Sequence, residues 1–140
     1  MYFGTSREVH NMVVDTAWDT VLIKSTECVL FDWEEDQATL DTCPGNLYDT
    51  DTSDNYEDFD EDVEFEFKLA ATEVFIKGIE FTDDLCLIND DDLCIEDVRM
   101  LEVRENHGIP PVMEGVWGLP TGITFNPTLP PYMKYLYDEQ

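Results

Sequence analysis

Apolar residues in this chain come in short runs with little sign of helical recurrence. Val63, Phe65 and Phe67 alternate with Glu64, Glu66 and Lys68, the period-two pattern of a strand with one buried face. Runs at 12–14, 20–23, 73–81, 85–88, 93–103 and 122–125 are brief and rich in β-branched and aromatic residues, so the reading is a mostly β fold. The pattern predicts one clear helix, over 128–138, where Leu129, Tyr132, Met133 and Leu136 recur at helical spacing behind Pro130 and Pro131. A shorter helical turn is a second candidate near Asp32 to Ala38.

Polar stretches at 44–62 and 105–115 read as surface connections, the first strongly acidic. An echo of eight residues, DDLCLIND at 83–90 and DDLCIEDV at 91–98, is best explained by two facing strands joined by a turn at Asn89 to Asp92.

Charge narrows the partners. The 140 residues carry 33 Asp plus Glu against 7 Lys plus Arg, a formal net of −26. Such a surface repels nucleic acid and anionic membrane, so neither is an expected partner. No run approaches the ~18 apolar residues of a membrane span, so no membrane insertion is expected. Residues 1–10 lack the apolar core of a signal peptide, so a signal is expected to lie upstream or to have been removed.

Cys28, Cys43, Cys86 and Cys94 fall in two clusters without zinc-site spacing. They read as disulfides, which points to an extracellular or secretory, acidic compartment. His10 and His107 read as surface histidines in turns, and Trp117 as a core residue. No cofactor is expected. The alternative is a loose Ca²⁺ site at Asp49, Asp51, Ser53 and Glu57, which offer hard oxygen ligands but do not match an EF-hand.

The stretch MVVDTAWDTVLI at 12–23 sets Asp15 between two apolar runs, a context that half-buries a carboxylate. Several ordered features around it resemble the first part of the amino-terminal lobe of a pepsin-like aspartic protease. Tyr2-Phe3-Gly4-Thr5 resembles the family's opening strand, Val13-Val14-Asp15-Thr16 its catalytic segment, and the stretch from Leu47 to Tyr56 one of its loops. Met113-Glu114-Gly115-Val116-Trp117-Gly118-Leu119 resembles the segment that passes beneath the catalytic loop, and Pro131 to Leu136 the helix after it. The resemblance implies a single aspartic-protease-like lobe over 1–140, incomplete and part of a longer chain. It further implies a disulfide loop between Cys28 and Cys43, a second pair of Cys86 with Cys94, and a catalytic role for Asp15 supported by Thr16.

The pattern also breaks. Aspartic-protease chemistry needs two carboxylates sharing a proton, and this chain offers one candidate. Ala17 and Trp18 stand where the family has a glycine and a small residue, and the flap tip corresponds to Phe67-Lys68-Leu69-Ala70-Ala71, without the family's tyrosine and glycines. The reading is therefore a non-catalytic relative with a degenerate site. It would be a structural protein that associates with itself or with another chain completing the lobe. The alternative is an acid endopeptidase pairing Asp15 with an Asp from a second subunit or a missing lobe.

Overall fold

The computed structural model describes residues 1–16, 20–69, 72–89 and 93–119, apart from the side chains at 60–61 and 67–69. The helix expected over 128–138, the run at 122–125, Ala17, Trp18 and most of the turn at 89–92 lie outside the described residues.

The described chain is mostly β. Its strands are β1 (Tyr2–Phe3), β2 (Glu8–Val9), β3 (Met12–Asp15), β4 (Val21–Asp32), β5 (Gln37–Thr42), β6 (Glu57–Leu69), β7 (Thr72–Cys86), β8 (Cys94–His107) and β9 (Gly115–Gly118). Four strands are long, β4, β6, β7 and β8; β4, β7 and β8 form the middle of the sheet, and the short strands attach around them. At one end the order is β2-β1-β7-β8-β4-β9-β3. At the other, β6 flanks β7 over 57–69 and β5 flanks β4 over 37–42. β4 can change neighbours because its pairing with β8 shifts register between Lys24 and Val29.

The middle strands are buried on both faces. Leu22, Leu101 and Val103 belong to one apolar cluster, whereas Val21, Ile23 and Met100 belong to the other. This explains why 21–23 reads as an unbroken apolar run, whereas β6, with one face in water, alternates. Close strand approach is enforced at Gly78, where a Cβ would sit 1.8 Å from the Glu102 carbonyl oxygen.

Three expectations need correction. Residues 33–36 form the tight turn of the β4–β5 hairpin, with Asp32 Oδ1 accepting from the Glu34 and Glu35 amides at 2.9 and 3.1 Å, so no helix forms there. A short polar side chain competes with the backbone in this way and favours a turn over a helix. The acidic loop ends at Tyr56, because 57–62 are already strand, and it is pinned to the core by a fully buried Tyr48. Tyr48 N donates to the Lys24 carbonyl and its own carbonyl accepts from Thr26 N, both at 2.9 Å. The second connection narrows to 108–114 and buries Ile109.

Candidate functional site

β3 carries Asp15 into position at the edge of the sheet. It pairs in parallel with β9, in the register Met12↔Gly115, Val13↔Val116, Val14↔Trp117 and Asp15↔Gly118. β9 pairs on its other side antiparallel with β4, Val21↔Trp117 through Ile23↔Gly115. β9 is therefore slotted between β3 and β4. The crossing is sealed by Leu119 N donating to the Asp15 carbonyl at 2.9 Å and Gly118 N to the Thr20 carbonyl at 3.0 Å. Gly115 makes room for it, since a Cβ there would lie 2.3 Å from the Leu22 carbonyl oxygen.

At this crossing Asp15 is half-buried and Thr16 exposed. The β6–β7 hairpin extends to Leu69↔Thr72, so Phe67 and Lys68 are strand positions opposite Val74 and Glu73, not part of the tip. Their side chains, and residues 70–71, lie outside the described residues.

A second polar group, missed in the sequence, lies where β9 begins. His10 is 1% exposed, a correction to its reading as a surface residue. Its ring packs edge-on against Phe3 and Tyr48, with centroids 5.5 and 5.8 Å away. His10 Nδ1 lies 3.2 Å from Glu114 Oε2 and Nε2 lies 3.4 Å from Glu8 Oε2. Burial pushes the imidazole below its ordinary value, outweighing the two carboxylates. Glu114 accepts from Asn11 N at 2.8 Å, Asn11 Nδ2 at 3.1 Å and Asn46 Nδ2 at 3.4 Å. Burial alone would raise its carboxyl, but these donors and His10 outweigh burial and hold it below the usual value. Lys24, fully buried, donates from Nζ to the Pro44 carbonyl at 2.9 Å, and burial lowers its ammonium despite Glu114.

A third group surrounds Asp83, whose side chain is fully buried in β7. The Tyr48 hydroxyl donates to Oδ2, while Ser53 Oγ and Asp84 N donate to Oδ1 at 2.6 and 2.8 Å. Burial nevertheless holds Asp83 above the carboxylate range, and it pushes the Tyr48 hydroxyl upward as well. A signal for this group exists in the sequence: the pair Asp83-Asp84 directly precedes the apolar run Leu85 to Ile88.

The calcium candidates are spread among other tasks. Asp49 Oδ1 accepts from Asp51 N and caps the 3-10 turn Thr50–Thr52. Ser53 serves Asp83, and Glu57 is exposed in β6 opposite Thr82. Among the described residues no group of three or more His, Cys, Asp or Glu is arranged to hold a metal ion. All four cysteines are paired, Cys28 with Cys43 and Cys86 with Cys94. Among the described residues no helix is long and apolar enough to cross a membrane. No protein-family model matches the chain, and no curated protein matches it.

Proposed function

We propose that this protein is a non-catalytic, pepsin-like lobe that works by association with other polypeptides in an extracellular or acidic secretory compartment. The observation that carries the reading is the crossing at Asp15. β9 lies between β3 and β4, so the 113–119 segment runs directly beside Asp15, the neighbour relation that the resemblance implies. The two disulfides support an oxidising compartment.

Loss of chemistry follows from the residues beside the carboxylate. A water-activating site needs a second carboxylate within hydrogen-bond reach of the same water. It also needs room above the first one, and Ala17-Trp18 replaces the small residues that would leave that room. The competing reading, an acid endopeptidase completed by another subunit or lobe, is favoured by one observation: Asp15 remains half-buried at the end of a strand with Thr16 beside it.

The test is digestion of a diverse peptide library at about pH 3–5, with and without pepstatin, alongside the Asp15→Asn variant. The proposal expects no cleavage attributable to Asp15. Pepstatin-sensitive cleavage that Asp15→Asn abolishes would establish the endopeptidase instead.

A further inference from the structure

The face of the sheet at the β4–β5 end leaves aromatic side chains in water, and it does not involve the Asp15 crossing. The pairing registers carry a row across the sheet through Glu66, Phe75 and His107 toward the end of β4. There Phe31 lies 4.4 Å from Phe75, ring centroid to centroid. Trp33 closes the group at 5.6 Å from Phe75 and 5.7 Å from His107, and it is 48% exposed. The cluster is held in place: His107 Nδ1 lies 3.3 Å from the Phe31 carbonyl oxygen, and the tight turn after Asp32 fixes the backbone around Trp33. An aromatic platform kept rigid and wet at once is the kind of surface that recognition uses.

The rim of this platform selects its occupant. Glu34, Glu35 and Asp36 follow Trp33 directly, all exposed, and the turn contains no basic residue. On the adjoining rows Lys68 and Lys77 occupy register positions beside Glu64, Glu66, Glu73 and Glu105, so acid still predominates. Elsewhere the protein shows how it holds a cation with these two elements. The Arg99 guanidinium lies 4.4 Å over the Phe59 ring while its Nη2 sits 2.5 Å from Glu80 Oε2. Ring face and carboxylate act together there, as expected for a guanidinium.

We infer that the platform of Phe31, Trp33 and Phe75, rimmed by Glu34, Glu35 and Asp36, docks a lysine- or arginine-bearing segment of another protein. Charge complementarity argues for that occupant, because a second copy of a chain with net charge −26 is repelled, as is an anionic ligand. Pairing of a partner strand along β5 is the weaker alternative. The β4–β5 ladder is irregular between Val29 and Phe31, and a bulge of this kind blunts an edge.

An acidic protein attracts a basic peptide anywhere on its surface, so the experiment must locate the binding. Octa-arginine and a Gly-Ser control are titrated into the isotopically labelled 140-residue chain while amide shifts are followed at about 20 and 300 mM salt, spanning weak to strong screening. The expected result is saturable binding of octa-arginine with shifts concentrated at 31–36, 73–75 and 105–107. Trp33→Ala should weaken it about tenfold, the scale of a partly desolvated cation–π contact. Glu34→Gln with Glu35→Gln should flatten its salt dependence, and both variants alter exposed side chains, so the fold is retained. Shifts spread over β6 and the 49–62 loop, with Trp33→Ala binding like the parent, would overturn the inference. So would concentration-dependent self-association through the same residues. Neither outcome bears on whether Asp15 cleaves peptides.

Discussion

Among the buried carboxylates of this small protein, Glu114 and Asp83 end differently. Glu114 is 8% exposed and Asp83 is fully buried, yet Glu114 is held below its ordinary value and Asp83 above it. At Glu114 the donors outweigh burial, whereas at Asp83 burial outweighs the donors. Glu114 receives a backbone N–H and two amide side chains, with a histidine beside it, groups that favour the anion. Asp83 receives two hydroxyls and one backbone N–H, and the neighbouring Asp84 adds like charge. The sign is therefore set by the balance between burial and the donors aimed at each carboxylate.

The comparison can be broken most severely at Asp83. Asp83→Ala should lose about 3 kcal/mol of stability in urea unfolding, because the Tyr48 and Ser53 hydroxyls and the Asp84 amide are left unanswered in the core. Asp83→Asn should cost less than about 1 kcal/mol, since a site that already favours the neutral acid accepts a neutral amide. A cost for Asn equal to that for Ala would refute this account.

At Glu114 the order should reverse. Glu114→Gln is expected to cost about 2 kcal/mol, because an amide offers one acceptor oxygen where Asn11 and Asn46 use two. If unfolding shows Glu114→Gln milder than Asp83→Asn, the contrast between the two sites fails.

Acid should separate them further. A carboxyl lowered on folding contributes stability that is present above its unfolded value and disappears as pH falls through the folded value. Glu114 therefore destabilises the fold in acid, and His10 adds to this from the ordinary imidazole value downward, because the unfolded chain takes the proton first. Asp83 runs the other way, its cost relieved as pH falls through its raised value toward the ordinary one. Stability against pH should thus fall less steeply in acid for Glu114→Gln than for the parent, and more steeply for Asp83→Asn. Unfolding curves at a series of pH values read both slopes.

The smallest effect is expected at Lys24, beside Glu114. Lys24→Met keeps the buried stem while removing a charge that burial disfavours, and it loses the bond to the Pro44 carbonyl. These offset, so stability should change by less than about 1 kcal/mol. A loss several times larger would mean that the ammonium is an essential counter-charge to Glu114.

Much of the site region was hidden for a related reason. In the sequence His10 reads as a surface residue because Glu8 to Asn11 has the pattern of a polar turn, and nothing local shows that Phe3 and Tyr48 close over it. The Glu114 group joins residues 8–11, 46 and 114, far apart in the chain. Asp83 left a clearer trace, as part of an acidic pair at the head of the apolar run Leu85 to Ile88, but its partners on the 48–56 loop did not.

The sequence by itself determined the β class, the alternating edge strand β6 and the facing of β7 and β8, because alternation and turn residues are local and strands obey them residue by residue. Tertiary structure alone decided that β9 threads between β3 and β4, that Tyr48 is drawn from a polar loop into the core, and that Trp33 meets Phe75 and His107 on an open face. Each of those depends on which distant segments the two-faced burial of β4, β7 and β8 brings together. Pairings of that kind are set by the packing of the whole sheet, where no window along the chain can see them.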